Sequence, residues 1–589
     1  MSPTNQTLRS RCKLHFEKIY GEEKVGECMR RLESLLHKYG LGHSEKTNSR
    51  PGNWDHSDLV LITYADMVQS DIHEEVTHLG KQHQFLNEYL SELISSVHIL
   101  PFFPSSSDDG FSVVDYRSVD PQTGSWKDIE LMGQDYRLMA DLVMNHVSKH
   151  SYWFRQFLQK RPPYNRYFIE VDPDTDLSEV TRPRSTPVVT SFHTTDGESL
   201  VWTTFSNDQM DVNFSNPDVL FEYLDIFMFY VLEGIRVIRL DAVAFIWKEI
   251  GTSCIHLPRT HEIIKLIRTL VDSAMPDVTL ITETNVPHRE NISYFGEGDE
   301  AHMVYQFSLP PLLLHAILTQ NGAYLTEWAS SLSELPDGCT YLNFTSSHDG
   351  IGVRPLEGLV PESEFMQLVN GMEERGGFVS YREKPDQTRS PYELNITYYD
   401  AFKSLSDESG LQEQRYFCSQ LIMLSLLGVP GIYFHNLTGT PNNLQGVRLT
   451  GRFRTINRKK WMYDELVREL EDSDTRTSQI FHRYCEILKV RNRLIALHPM
   501  GRQTVYDAGE NLFCVERSNP DNTESLLVVA NITGEQIVTE CEGSGLPLEP
   551  AVTYKDELSG EVCVKEGSLS VGPYQVLWIR NGGEGIGSL

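Results

Sequence analysis

At 589 residues the chain is too long for one compact core, so a large domain with smaller attachments is expected. A hydrophobic fraction of 40% with 10% aromatics is ordinary for a globular protein and excludes disorder. The 82 acidic against 52 basic residues leave a formal charge of -30, the wrong sign for a nucleic-acid partner; such acidity favours solubility and suits a salt-rich cytoplasm.

Residues 1–57 read as an N-terminal helical extension, because Leu32, Leu35, Leu36 and Tyr39 recur with helical spacing before a polar stretch from His43 to Asp58 breaks the pattern. The N-terminus has no apolar signal-peptide core, and the most apolar run, Leu421 to Phe434, is interrupted by Gly428-Val-Pro-Gly431. A cytoplasmic protein without a membrane partner is expected. Nine scattered cysteines with no Cys-x-x-Cys pair indicate neither a zinc site nor a disulfide framework.

Short apolar runs then alternate with amphipathic helical stretches. Val60 to Tyr64, Val97 to Leu100, Leu138 to Met144, Ile235 to Leu240, Val278 to Thr282, Thr340 to Thr345 and Gly431 to Phe434 read as buried strands, and Thr260 to Ala274 as a helix between two of them. Sustained strand–helix alternation predicts a parallel α/β fold. No Gly-rich phosphate fingerprint follows the first strand, so a (β/α)8 TIM barrel is preferred to a Rossmann fold. Its three parts are placed at 58–147, 217–350 and 406–500, with an inserted domain B at 148–216 and a second insert at 351–405. Strand-like runs at 511–516, 525–531 and 573–579 place a small C-terminal β domain at 501–589.

Several expected strands end directly in polar clusters: Asp141-Leu-Val-Met-Asn145-His146, Arg239-Leu-Asp241, Glu283-Thr-Asn285 and Ser347-His348-Asp349. In a (β/α)8 barrel all strand C-termini open onto one face, where active sites are built. One aspartate alone would read as a helix cap or a turn; four coincident clusters would not. Two opposed carboxylates suit retaining glycoside chemistry, with Asp241 as nucleophile and Glu283 as acid/base. Arg239, two residues before Asp241, would keep that carboxylate ionised and aimed, while burial or nearby negative charge would keep Glu283 protonated. Metal binding is the rival use of such clusters, but no His-x-x-x-His or equivalent spacing occurs; neither metal nor cofactor is expected.

These clusters resemble the motifs of the α-amylase clan of glycoside hydrolases, and within it the sucrose-phosphorylase-like branch, over roughly residues 58–582. Val237-Ile-Arg-Leu-Asp241 resembles the nucleophile motif, Ile281-Thr-Glu-Thr-Asn-Val-Pro-His288 the acid/base motif, and Ser347-His-Asp-Gly-Ile-Gly352 the transition-state motif, which holds Asp349. The resemblance implies that Asp108 and Arg454 clamp the far hydroxyl of a bound glucose. It also implies that Phe111 stacks on the ring, and that His146 and His348 hydrogen-bond its hydroxyls.

The same resemblance extends to two loops. Thr181-Arg-Pro-Arg184 is similar to a loop whose second arginine binds phosphate, and Ser390-Pro-Tyr-Glu-Leu-Asn395 to the opposing loop, with Tyr392 as the phosphate-binding phenol. A phosphorylase acting on inorganic phosphate and a small α-glucoside is therefore implied, because a donor-rich cationic site favours phosphate over water. Pro183 and Tyr392 stand where relatives using sucrose 6'-phosphate place Arg and His, and Glu393 where plain sucrose phosphorylases have an amide. The insert Val353-Arg-Pro-Leu-Glu-Gly358 and the N-terminal helices look most like glucosylglycerol and glucosylglycerate phosphorylases. Glycerate needs a cation, from Arg354 or Arg389, and Glu393 would repel it. Glucosylglycerol, a compatible solute of salt-adapted cells, is the expected substrate, with glucosylglycerate as the alternative.

Overall fold

The computed structural model describes residues 3–41, 54–71, 75–332, 334–383, 388–405 and 410–581. Most of the expected polar breaker at 43–58 lies outside them. Eight parallel strands close into a barrel and follow one another around it in chain order: β1 (Val60–Thr63), β2 (Ser96–Ile99), β3 (Arg137–Val143), β4 (Val237–Asp241), β5 (Thr279–Thr282), β6 (Met303–Tyr305), β7 (Thr340–Phe344) and β8 (Val429–Tyr433). The (β/α)8 reading holds. Seven strands match apolar runs in the sequence. The eighth, β6, has only three residues and is flanked by buried His302 and Gln306, so it carries too little apolar sequence to register.

Strand periodicity explains what the barrel holds. Successive side chains point to opposite faces, so in β4 Ile238 and Leu240 share one face, while Arg239 and Asp241 share the other. The register sets Arg239 opposite Asp141 of β3.

The N-terminal helices α1 (Pro3–Tyr20) and α2 (Glu22–Lys38) pack against two helices of the outer ring, α3 (Pro217–Leu232) and α4 (Pro258–Ala274). Both ring helices begin with a proline, where the missing N–H costs nothing, and Asn216 caps α3 by accepting from the Asp218 N–H. Fully buried Phe16 stacks on Phe221 at 5.9 Å, and burying an aromatic of this size stabilises by about 2–3 kcal/mol. Polar contacts rim this seam: His15 to Glu262 at 2.6 Å, Arg31 to Asp218 at 2.7 Å, and the Tyr20 hydroxyl to the Phe214 carbonyl at 2.9 Å. The extension thus braces the helices leading into β4 and β5.

Two insertions rise from the strand C-termini. The first carries a three-stranded sheet, Glu170–Val171, Val189–Thr194 and Gly197–Trp202, over a small core that includes Val171, Val188 and Trp202. In the second, Ile351–Gly352 and Phe378–Glu383 pair antiparallel with either edge of Arg389–Asn395. The C-terminal segment forms a five-stranded antiparallel sheet and a smaller three-stranded one. It is pinned to the barrel by Trp578, which donates to the Ser425 hydroxyl at 2.8 Å, and by Arg517, whose buried guanidinium donates to the carbonyls of Ser425, His498 and Arg502. Among the described residues no helix is long and apolar enough to cross a membrane.

Candidate active site

At the C-terminal mouth of the barrel Arg239 is the hub. Its guanidinium donates to Asp141 and, at 2.6 Å, to Asp241, and lies 3.9 Å from Glu283. His98 of β2 contacts the other oxygen of Asp141 at 2.7 Å. Burial opposes ionisation of Asp141, but Arg239 and His98 overcome it and hold its carboxyl at about 2. Asp141 is therefore an anion that fixes Arg239 from beneath.

Asp241 ends β4 and Glu283 follows β5. The Ala242 N–H donates to Glu283 Oε2 at 3.2 Å, from a left-handed backbone (φ 50°) that turns the chain sharply after Asp241. Burial pushes both carboxyls upward against the pull of Arg239, helped by Glu283 and Asp349 at Asp241 and by Asp349 at Glu283. Such a pair holds one proton between its members. Because Arg239 touches Asp241 and stands further from Glu283, the charge belongs on Asp241 and the proton on Glu283. That is the division of labour a nucleophile and a general acid need.

Asp349 lies beyond β7. Burial works against its ionisation, yet Arg454, at 2.6 Å, leads a set of cations that keep it well below the usual carboxylate range. Asp108 and Asp109 both adopt left-handed backbone, turning their carboxylates toward Arg454 and Arg458. Asp108 is held at about 2, against the effect of burial, by Arg454, Arg184 and Arg458. Asp108 and Arg454, the pair expected to clamp a glucosyl hydroxyl, stand 3.9 Å apart in the cavity, and Arg454 binds Asp349 and Glu393 more closely. One face of Phe111 stacks on His348 at 4.7 Å. Burial drives His348 down to about 3 and His146 to about 4, so both imidazoles are neutral at physiological pH. His146 Nε2 meets the Phe111 carbonyl and the Gln209 amide, each at 3.0 Å.

The inserts close over this floor. Arg184 approaches Asp108 at 3.6 Å from the first, and the second supplies Tyr392 and Glu393. Burial, then Glu393, raises the Tyr392 phenol to about 12, so it remains a donor. Glu393 is gripped by Arg454 through two parallel hydrogen bonds of 2.6 and 3.0 Å, a bidentate charge-assisted pair. Gly350 makes room for it, since a Cβ there would stand 2.6 Å from Glu393 Cγ.

Asp108, Phe111, His146, Arg184, Asp241, Glu283, His348, Asp349, Tyr392, Glu393 and Arg454 line one cavity; Arg239 sits beneath its floor. An outer vestibule shares Arg184, Tyr392 and Arg454 with it. Three supports were given no role from the sequence, although Asp141 and Asn145 stand in its first strand-end cluster. Asp141 with His98 fixes Arg239, Arg458 braces the His348 carbonyl at 2.9 Å and Asp109, and Lys248 joins Asp211 and Asn145, both at 2.5 Å. Period-two reading of β3 would have found Asp141; nothing local marks Lys248. Among the described residues no three His, Cys, Asp or Glu side chains are grouped to hold a metal ion.

The model of the α-amylase catalytic domain matches residues 86–350. A glucosylglycerate phosphorylase of Spirochaeta thermophila is 47% identical over 95% of this chain and 97% of its own length; that of Escherichia coli K12 is 43% identical over 96% and 99%. The crystal structure of a sucrose 6F-phosphate phosphorylase from Thermoanaerobacter thermosaccharolyticum superposes with a TM-score of 0.70 at 24% identity, over 81% of this chain and 94% of that one, a likeness of fold. The preference for glucosylglycerol is overturned: a glucosylglycerol phosphorylase of Marinobacter adhaerens is only 28% identical, over 70% of this chain and 83% of its own length. Its physical premise fails as well. Glu393 does not stand ready to repel an anion, because Arg454 already neutralises it, and a charge spread over the whole chain says nothing about the sign of one cavity.

Proposed function

From the premise that this chain belongs to the sucrose-phosphorylase-like branch of the α-amylase clan, we propose that it is a retaining glucosylglycerate phosphorylase. It converts an α-glucoside of glycerate and inorganic phosphate into α-glucose 1-phosphate and glycerate. In the first displacement Asp241 attacks the anomeric carbon while Glu283 gives its proton to the departing glycerate oxygen. In the second, Glu283 takes a proton from phosphate, whose oxygen attacks the glucosyl-enzyme and frees Asp241. Two inversions retain the α configuration. Asp349, Asp108, Arg454, His146 and His348 hold the glucosyl hydroxyls, Phe111 meets the ring, and Arg239 keeps Asp241 anionic and aimed.

One observation carries the choice of phosphate over water: Arg184 and Tyr392 line the same cavity as the carboxylate pair. An arginine fork and a phenol that stays protonated form a donor set suited to a phosphate oxyanion. A cytoplasmic setting belongs to the same proposal, since all nine cysteines are unpaired thiols, as a reducing compartment keeps them.

The test is incubation with glucosylglycerate, glucosylglycerol and sucrose, each with and without phosphate, following α-glucose 1-phosphate and free glucose. Phosphate-dependent glucose 1-phosphate from glucosylglycerate, at a kcat/KM above the other two substrates, is expected. Glucose release independent of phosphate would make the enzyme a hydrolase and sink the proposal.

A further inference from the structure

The arginines around the cavity differ in how their charge is met. Arg454 is committed to Glu393 and Asp349, Arg458 to Asp109 and the His348 carbonyl, Arg382 to Glu357 at 2.7 Å, and Arg184 lies near Asp108. Arg354 also lines the catalytic cavity, yet it forms no hydrogen bond or ion pair with any described residue, and its Nε is buried without a partner. Arg354 is half-buried, and a cation on a cavity wall with no hydrogen-bonded counter-charge is open to an incoming anion. Burial, reinforced by Arg382, opposes its charge, but an arginine stays protonated all the same. Glu357 and Glu290 favour its charge only through longer-range attraction, without an ion pair, so an anion brought by a substrate can still pair with it directly.

Position selects which one. Arg184 lines both the cavity and the outer vestibule, whereas Arg354 lines the cavity alone. Arg354 begins a short turn, Arg354–Leu356, anchored by the Val353 N–H donating to the Tyr392 carbonyl at 3.0 Å. Two residues before it, Gly352 lies so close to Asn285 that a Cβ would stand 2.5 Å from that amide. Asn285 is two residues beyond Glu283, so the turn bearing Arg354 is packed against the turn bearing the acid. In a 2-O-glucoside of glycerate, the carboxylate is attached to the carbon whose oxygen Glu283 protonates. A cation on the Glu283 flank therefore meets that carboxylate. Arg389, the other cation the sequence offers, is exposed and lines only the vestibule.

Resting on the reading of the reaction given above, we infer that Arg354 is the carboxylate anchor of the acceptor subsite and selects glycerate over uncharged polyols of the same size. Arg184 with Tyr392 remains the phosphate-facing set. The two anions thus use different cations inside the one cavity: the carboxylate is met at Arg354 and phosphate at Arg184 with Tyr392.

The experiment runs in the synthetic direction, from α-glucose 1-phosphate to D-glycerate or glycerol, with wild type, Arg354→Gln, Arg354→Lys and Arg389→Gln. The quantity read is the ratio of kcat/KM for glycerate to that for glycerol. Arg354→Gln is expected to lower it on the order of 100-fold, mainly through the KM for glycerate, as loss of a charge-assisted pair does. Arg354→Lys recovers part of the ratio, and Arg389→Gln keeps it near the wild-type value. Continued transfer to glycerol shows that each variant is folded. An unchanged ratio in Arg354→Gln, or a loss confined to the KM for phosphate in the reverse reaction, overturns the assignment. Wild type that ignores glycerate while glucosylating glycerol overturns the underlying reading itself, a result distinct from either.

Discussion

The two walls of the cavity are built on opposite principles. The wall that faces the glucosyl group rises from barrel strands, and there every charge has a partner: Asp141 with Arg239 and His98, Asp241 with Arg239, Asp349 with Arg454. The wall that faces the departing group is carried on inserted loops and a three-stranded sheet. It keeps an Arg354 with no hydrogen bond or ion pair among the described residues, a loosely held Arg184 and a protonated phenol. A charge already paired is preorganised, with its geometry fixed before substrate arrives, which is what reacting atoms require. A charge left open is a binding site, because its solvation deficit is relieved only by an incoming ion. Glu393 shows that sequence position does not decide between the two: it sits on the insert, yet Arg454 reaches across and makes it part of the closed set.

This contrast breaks most readily at Asp241. Asp241→Asn keeps a hydrogen-bond acceptor for Arg239, so the thermal midpoint should stay near that of wild type, while kcat falls by on the order of 10⁴-fold or more. Measurable turnover beyond that floor would mean that the glucosyl-facing wall does not supply the nucleophile. A smaller and more selective effect is expected across the cavity. Arg184→Ala should raise the KM for phosphate by about 10- to 100-fold and leave the slow phosphate-free hydrolysis of glucosylglycerate near its wild-type rate. An equal loss in both reactions would erase the distinction between the walls.

The smallest effect is on stability and depends on pH. Asp108 has a folded pKa of about 2 against an ordinary value of 3.8. A depressed folded value means that its contribution is complete above about pH 4 and is lost as pH falls through about 2. Asp108→Asn should therefore unfold at lower temperature than wild type above about pH 4 and converge with it in more acid solution. Melting curves that run parallel across that range would show that solvent in the vestibule already screens the cluster of Asp108, Arg184, Arg454 and Arg458.

How much of this was legible in the chain follows from the range of the forces involved. Strands with continuous apolar runs, the helix at Pro258–Ala274 and the strand-end clusters are local patterns, and period-two alternation alone places Arg239 and Asp241 on one face of β4. They were enough to read the barrel and to bring Asp241 and Glu283 to one face of it. β6 escaped because three residues between polar neighbours carry no periodic signal. Pairings made across tens to hundreds of residues were beyond reach: Glu393 with Arg454, Asp109 with Arg458, Lys248 with Asp211.

Those pairings decide the sign of the acceptor subsite. From the sequence, Glu393 read as a free negative charge set against a carboxylate, and two arginines competed to offset it. Only the tertiary structure shows that Arg454 neutralises Glu393, leaves Arg354 open inside the cavity and sets Arg389 outside it. A side chain's chemistry is written in the sequence, but whether its charge is free to act depends on which distant partner the fold brings within hydrogen-bonding reach.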